Sequence, residues 1–498
     1  MLILHHNSWT AGLVVPALIV LMALAAQAQD QQTQGQEGQG QQNQSQQTQD
    51  QSAAPIPAYH SPLASAANNG DSETNGGPLE PDTRALAGVQ NFSLGGPETV
   101  HSYWQPHFDI FGIGDSNPQE APSGAAWGTW ASFSGGMDLR WTSGGSDVTL
   151  SYTGGEMIAS GTGTGNGIVQ KLGFTDTFAL RRWTVTILDQ VNYLPESAYG
   201  FGGLGGTSST GTETGGAGSV FTPGQTLLTG RGQNLSDAFD TEADLSLTPR
   251  TSLTFVGGIS LLRNFDTNLL DSGVATGRVG YNYLWTRKDT VGGFYTYSAL
   301  RYSGSNQSID THSIQASYGR RVTGRLAFQI AAGPQIAVFH LPIIVGGSGT
   351  PAANSTEFLW SLNAALQYQL RRVALTADYN HGVNAGSGVL AGWETDAVSG
   401  SATRQMSRTF SSGITGGYAR NKGLAIGGIT PLTQTYNYWF AGANLSYPLG
   451  RELGLTLSYQ LQYQDASARF CVGTACGASV IRHLISLGVG WHERPLLF

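Results

Sequence analysis

Apolar and polar residues alternate along the chain beyond residue 127, with the two-residue period of a β-strand whose faces meet different surroundings. In residues 452–464, one face carries only Leu and Tyr, and the other carries mainly Gly, Ser, Thr and Gln. Residues 357–370 and 372–380 alternate in the same way. Similar runs lie near residues 182–193, 243–248, 252–261, 278–285, 313–319, 326–333, 435–447 and 484–492. The pattern predicts an all-β fold.

The length of the runs and the composition of their polar face indicate strands that cross a membrane. The runs have about 9–14 residues, whereas globular strands usually have about 5–6 and tilted membrane-spanning strands about 9–11. Gly, Ser, Thr, Gln and Asn cannot form a sandwich core, but they suit a water-filled lumen. The apolar face would then meet lipid, where every backbone group must be paired, so we expect the strands to close into a barrel.

Short basic turns separate consecutive runs. The candidate periplasmic turn residues are Arg181, Arg182, Arg250, Arg287, Arg321, Arg371, Arg372, Arg408 and Arg451. The other connections, such as residues 194–235, 339–355, 384–393 and 464–480, are longer, rich in Gly and Ser, and nearly free of Arg. Charge can mark any tight turn, but here turn length and charge segregate together, which favours a barrel with two unlike ends.

This asymmetry resembles the Gram-negative outer-membrane β-barrels of the porin-like type, which have short periplasmic turns and long outer loops. The resemblance covers roughly residues 100–498 and rests on the pattern, with no diagnostic motif. Aromatic residues near the ends of runs, such as Trp183, Tyr418 and Trp491, fit interfacial girdles. The resemblance implies localisation in the cell outer membrane, with its lipid and the barrel-assembly machinery as partners, and it leaves a homotrimer open.

The number of strands follows from the turns. Eight tight turns, near residues 142–146, 181, 249, 288, 322, 371, 407 and 450, join 16 strands, and residues 482–492 add one more. Both termini should be periplasmic, so the number is even, and a strand near residues 101–113 completes it. We therefore expect a transmembrane antiparallel β-barrel of 18 strands, with 16 as the alternative. Barrels of about 16–18 strands leave an aqueous channel.

The N-terminal hundred residues differ from the rest. Residues 11–25 form an apolar run followed by Ala26-Gln27-Ala28, which predicts a signal peptide over residues 1–28, with a membrane anchor as the alternative. Residues 29–52 hold 13 Gln, and residues 53–100 are rich in Pro, Ala, Asn, Gly and Ser. Such a segment buries too little apolar area to fold, so we expect a disordered arm over residues 29–100. The barrel then covers residues 101–498.

Composition and motifs narrow the function classes. Charged residues are only 12% of the chain, and the net charge of −8 argues against a nucleic-acid partner. The ten histidines form no HxH or HxxxH pair, and no GxSxG or phosphate-binding loop occurs. We therefore expect no enzyme, no cofactor and no metal site.

Four features are candidates for a role. Cys471 and Cys476 are expected to form a disulfide in the last long loop, with free thiols as the alternative. The polar-face phase assigns charges to the lumen, where they would set ion preference. These candidate lumen charges are Glu242, Asp244, Arg278 and Asp378. Asp189 breaks the apolar phase of its run, which suggests a β-bulge, and the loop 194–235 is the first candidate for a channel constriction.

The sequence therefore favours a porin-like channel for passive diffusion of small hydrophilic solutes. The alternative is a plugged barrel that acts as a surface binding, adhesion or structural protein through its long Gly/Ser loops. A soluble protein of stacked repeats is disfavoured, because the spacing between tight turns follows no fixed period.

Overall fold

The computed structural model describes residues 102–118, 126–160, 166–196, 231–265, 271–303, 308–340, 355–384, 392–407, 410–424, 435–466 and 479–498. All regular structure in these ranges is β-strand, and none of the described segments is a helix able to cross a membrane. The expected signal peptide and arm (residues 1–100) lie outside the described residues. So do Cys471, Cys476 and Arg408.

Eighteen long strands follow one another along the chain. The first nine are β1 (Tyr103–Asp115), β2 (Gly128–Ser143), β3 (Ser146–Ser160), β4 (Gly167–Ala179), β5 (Trp183–Glu196), β6 (Arg231–Thr248), β7 (Thr251–Asn264), β8 (Ser272–Leu284) and β9 (Asp289–Tyr302). The second nine are β10 (Ser308–Thr323), β11 (Leu326–His340), β12 (Ser355–Gln369), β13 (Val373–Asn384), β14 (Trp393–Gln405), β15 (Ser411–Gly423), β16 (Thr435–Pro448), β17 (Leu453–Ala466) and β18 (Ser479–His492).

Each strand pairs antiparallel with the next, and the ring closes between β1 and β18. The closing register runs from His107 opposite His492 to Asp115 opposite Leu484. The expected barrel of 18 strands is thus confirmed, and the alternative of 16 is excluded. Because the ring has no free edge, every strand finds hydrogen-bond partners on both sides.

The two ends of the barrel differ as the turns predict. At one end, here the tight-turn end, neighbouring strands are joined by a few residues. Between β2 and β3, Gly144 and Gly145 have φ values of 57° and 108°, the left-handed backbone that a two-residue hairpin requires at both positions. At the other end, here the long-loop end, longer connections such as residues 197–230 and 467–478 join the strands and lie outside the described residues.

The two faces of the wall are chemically opposite. Large apolar side chains point outward at alternate positions and are exposed there, as Phe358 (80%) and Ile314 (63%) illustrate. Polar side chains from the positions between them, such as Gln315 and Ser361, point inward and are buried. An apolar surface that continues around the whole ring has no stable place in water, so the outer wall is a lipid-facing wall.

The register corrects one expectation. Asp189 of β5 lies opposite Phe174 and Phe239 in an unbroken ladder, and the irregularity in this strand comes later, between Leu194 and Glu196. The bulge expected at Asp189 is therefore wrong, and the carboxylate faces outward with the apolar side chains of its row. Alternation alone suggested the bulge because a charge on the lipid face is unfavourable.

The C-terminus extends the closure of the ring. β18 ends at His492, where the run of residues 482–492 ends, and the chain then continues along β1. The Glu493 amide donates to the carbonyl of Pro106, and a two-residue strand, β19 (Leu496–Leu497), pairs with Trp104 and Tyr103. Pro495 thus interrupts the ladder without ending it.

Candidate functional site

The inner wall is the surface on which the barrel can act, because it is the one polar surface that the closed ring encloses. Its side chains bond sideways to neighbouring strands. Gln315 Nε2 donates to Ser361 Oγ at 2.7 Å, and Thr395 Oγ1 donates to Asn421 Oδ1 at 2.7 Å. These contacts satisfy buried polar groups and keep the wall hydrophilic.

Carboxylates outnumber cationic groups on the inner wall of the described strands. Strand register and burial place these carboxylates inward: Asp109, Asp115, Asp138, Asp147, Asp240, Glu242, Asp244, Glu357 and Asp378. The inward arginines and lysine are Arg140, Lys171, Arg278, Arg321 and Arg482. The enclosed surface is therefore acidic.

The densest group of inward charges lies on β6. Asp240, Glu242 and Asp244 occupy three successive inward positions, here called the acidic stripe. At about 3.4 Å per residue, the stripe spans about 14 Å of the wall. Its end nearest the tight turn is fixed because Thr254 Oγ1 donates a hydrogen bond to Asp244, and Asn282 Nδ2 donates to Thr254 Oγ1 at 3.3 Å.

Arg278 of β8 is the cation nearest to this stripe. Its Nε donates to Thr296 Oγ1 at 3.0 Å, and its guanidinium lies 4.9 Å from the ring centroid of Phe294. It also attracts the carboxylate of Asp240. The aromatic ring and the hydroxyl hold the guanidinium against the wall, so Arg278 offsets one charge of the stripe without crossing the lumen.

Two of the other inward arginines are held in ion pairs. Arg140 Nε and Nη2 contact the two carboxylate oxygens of Asp147 at 3.0 and 2.9 Å, a bidentate arrangement. Arg482 Nε donates to Asp115 Oδ2 at 2.7 Å, and both side chains are almost fully buried. Since each guanidinium is matched by its own carboxylate, neither adds positive charge to the lumen.

Apolar side chains interrupt the polar wall toward the long-loop end. One cluster lies inside β1–β5 and β18, and a second inside β9–β11. The first consists of Phe111, Ile113, Trp130, Met157, Val169, Leu194 and Leu484. The second consists of Leu300, Tyr302, Ile309, Ala337 and Phe339. On β14 and β16, Trp393, Tyr436 and Tyr438 are also inward and at most 1% exposed. The inner wall is therefore packed near this end.

The positions selected from the sequence fall in three places. The side chains of Glu242, Asp244, Arg278 and Asp378 all lie on the inner face. The turn arginines 181, 182, 250, 287, 371, 372 and 451 lie in short connections between strands. Arg321 lies within β10 and not in a turn, because that strand extends to Thr323. Its side chain points inward. Cys471, Cys476, Arg408 and residues 197–230 of the candidate constriction loop 194–235 lie outside the described residues.

Sequence reasoning missed the paired inward charges, such as Arg140 with Asp147. The signal was present, because Arg140 shares the alternation phase of Ser132, Ser134 and Asp138. Partners on other strands, such as Asp115 for Arg482, depend on register and ring closure, which no local pattern shows. Among the described residues, no group of three or more His, Cys, Asp or Glu side chains is arranged to hold a metal ion.

No model of a known protein family matches the chain, and neither does any curated protein. Among solved structures, it resembles Pseudomonas aeruginosa OccK2 (OpdF) in complex with glucuronate, at 10% identity and a TM-score of 0.40, covering 80% of this chain and 98% of that one. The outer membrane protein opdK from Pseudomonas aeruginosa shows 8% identity and a TM-score of 0.38, with coverages of 79% and 98%. Acinetobacter baumannii OccAB3 shows 9% identity and a TM-score of 0.38, and the match covers 79% of this chain and 99% of that one.

Proposed function

We propose that the protein is an outer-membrane channel for passive diffusion of small hydrophilic solutes. The observation that carries the proposal is the closed ring of 18 strands with an apolar outer wall and a polar, charged inner wall. The outer wall requires lipid, and the inner wall requires water or polar solutes. Rings of this strand number enclose an aqueous channel when nothing blocks them. No catalytic activity belongs to the proposal.

The inner charges support a preference for cations. Inward carboxylates exceed inward arginines and lysine, and the pairs of Arg140 with Asp147 and Arg482 with Asp115 remove one cation and one carboxylate each, which leaves the excess unchanged. The acidic stripe and Asp378 then leave the lumen with an excess of negative charge. A cleft lined by one sign of charge raises the local concentration of counter-ions and favours their passage.

A plugged barrel is the second candidate, and a specific observation favours it. Trp393, Tyr436 and Tyr438 point inward near the long-loop end and are almost completely buried. Packing of this kind narrows the lumen. If it closes the lumen, the protein acts through its long loops as a surface binding or structural protein.

Bilayer conductance separates the two candidates. The full mature chain is refolded in detergent, and only material with heat-dependent gel mobility is added to a planar bilayer. Stable stepwise currents support the channel, and a reversal potential of cation sign in a salt gradient supports the charge argument. Folded, heat-modifiable protein without current contradicts the channel and supports the plugged barrel.

The partner proposals need separate tests. We expect insertion by the barrel-assembly machinery, and depletion of its central component should leave the protein unfolded in the periplasm. The homotrimer is tested by cross-linking in cells, where a ladder that stops at the monomer contradicts it.

A further inference from the structure

The outer wall carries a patch of charge at the long-loop end of β13–β15. We call it the rim patch and define it as the outward residues His381, Glu394, Asp396, Arg420 and Lys422. Each lies within four residues of the long-loop end of its strand. Register places His381, Asp396 and Arg420 side by side on the three strands, with Glu394 opposite Lys422 one step closer to the loops.

A row of aromatic side chains lies next to the rim patch on the side of the membrane core. Tyr379, Tyr418, Trp439 and Tyr463 occupy this row on β13, β15, β16 and β17. The rings of Tyr418 and Trp439 are 4.1 Å apart, and Tyr418 Oη donates to Asn437 Oδ1 at 3.0 Å. Aromatic rings of this kind sit where the lipid chains end and the headgroups begin. The rim patch therefore lies at headgroup level.

The carboxylates of the rim patch already have partners within the patch and in the aromatic row. Asp396 Oδ1 accepts a hydrogen bond from Tyr379 Oη at 3.0 Å and lies 2.6 Å from His381 Nδ1. Glu394 Oε2 accepts a hydrogen bond from Lys422 Nζ at 3.2 Å, and Glu394 Oε1 lies 3.7 Å from His381 Nε2.

The histidine that links the two carboxylates is fixed in place. The ring of His381 stacks on Trp360 at 3.9 Å, and its side chain is 4% exposed although it belongs to the outer wall. These contacts position the two carboxylates before any ligand arrives.

The cations remain available for an anion. Among the described residues, Arg420 forms no ion pair, and the structure shows it exposed. Lys422 contacts only one carboxylate oxygen, and 53% of its side chain is exposed. The two side chains are two residues apart on one face, so they lie about 7 Å apart along the strand. Arginine binds phosphate through two parallel hydrogen bonds, and lysine adds a point charge beside it.

We propose that Arg420 and Lys422 bind a phosphorylated glycolipid headgroup in the outer leaflet of the membrane. The inference rests on the proposed outer-membrane location, because only there does the rim patch meet such a headgroup. The matched carboxylates limit repulsion of the phosphates, and the aromatic row holds the patch at the depth where the phosphates lie. The lipid would bind to the outside of the barrel, separate from the lumen.

The test uses the folded full chain in detergent micelles, with lipid A carrying two phosphates as the probe. Bound lipid is counted by native mass spectrometry across a lipid titration. The R420Q/K422Q variant should weaken binding about five-fold or more, since it removes both phosphate donors. The matched control is R404Q, because Arg404 is also outward and exposed on β14 but lies at the tight-turn end. R404Q should bind like the unaltered protein.

A gain-of-binding variant guards against a folding artefact. E394Q removes the carboxylate that holds Lys422, so it should tighten lipid A binding about two-fold. The proposal is overturned if R420Q/K422Q binds as well as the unaltered protein, if R404Q loses binding equally, or if millimolar inorganic phosphate displaces the lipid. A preference for neutral phosphatidylcholine over lipid A would also overturn it.

The same samples are examined for conductance, so that the two proposals fail separately. Barrels that conduct but do not distinguish R420Q/K422Q from R404Q refute the lipid site alone. Barrels that bind lipid A through Arg420 and Lys422 but carry no current refute the channel and retain the lipid site.

Discussion

Removal of the Asp115 carboxylate is expected to destabilise the barrel at the place where the ring closes. Asp115 ends β1, and its partner Arg482 lies on β18, so their ion pair joins the first and last barrel strands. The side chains are 0% and 1% exposed. In the D115A variant, the guanidinium stays buried without its carboxylate, and such a loss costs about 3–5 kcal/mol.

The Arg140–Asp147 pair provides the scale for comparison. Arg140 contacts both carboxylate oxygens of Asp147, whereas Arg482 contacts only Oδ2 of Asp115, and 25% of the Asp147 side chain is exposed. Water replaces the lost partner more easily there, so D147A should cost about 1–2 kcal/mol. The two variants remove the same chemical group, but Asp115 is more deeply buried and also accepts a hydrogen bond from the Asn117 amide at 2.8 Å, and both differences make D115A the more costly change.

A double variant decides whether the cost arises from the unmatched charge. D115L/R482M replaces the pair with apolar side chains of similar size, and such replacements are often neutral or stabilising. The free energy of unfolding is measured from urea titrations in detergent micelles, followed by gel mobility and tryptophan fluorescence. The reasoning is refuted if D115A costs less than D147A, or if D115L/R482M is as unstable as D115A.

Three further outcomes are expected. Neutralisation of the acidic stripe in D240N/E242Q/D244N should shift the reversal potential toward anions, whereas D465N on the outer wall should leave it unchanged; equal reversal potentials for the two would contradict the lumen assignment. Ile485 lies on the outward face about halfway along β18, so Ile485→Lys should lower the free energy of unfolding by about 2–4 kcal/mol in the same urea titration. Leu453 lies on the outward face at the tight-turn end of β17, so Leu453→Lys should lower it by only about 0–1 kcal/mol. Gly145→Val should destabilise the β2–β3 hairpin by about 1–2 kcal/mol, because φ is 108° and a Cβ would lie 3.0 Å from the carbonyl oxygen of Ala179; an unchanged urea midpoint would show that the turn adopts another conformation without cost.

The sequence predicted the barrel because its two requirements are local. Alternation fixes the two faces of each strand, and the turns between runs fix the number of strands. The pattern was weaker where polar residues occupy both faces. β6 extends from Arg231 to Thr248, but only residues 243–248 stood out, because Asp237 interrupts the apolar face near the long-loop end.

The site was predictable only in part. The inward phase of Glu242 and Arg278 can be read from alternation, since each residue shares a face with neighbours two positions away. The neutralisation of Arg482 by Asp115 cannot, because the partners are 367 residues apart and meet only through ring closure. At Asp189, by contrast, the local pattern led to a wrong prediction. An unfavourable charge suggested an irregular backbone, whereas the ladder keeps its register and the carboxylate stays on the lipid side.

The pairing of β1 with β18 also determines when the barrel can close during biogenesis. β1 is synthesised before the other strands of the barrel, yet one of its edges is completed by β18 and by residues 493–498, up to the Phe498 amide that donates to the Ser102 carbonyl. That edge stays open until β18 has been synthesised and exported. Contacts between residues so far apart form slowly, because nearly the whole chain must be ordered first. A chain truncated by even one strand at its C-terminus therefore cannot seal, and the unsealed intermediate is the species that must be protected from aggregation.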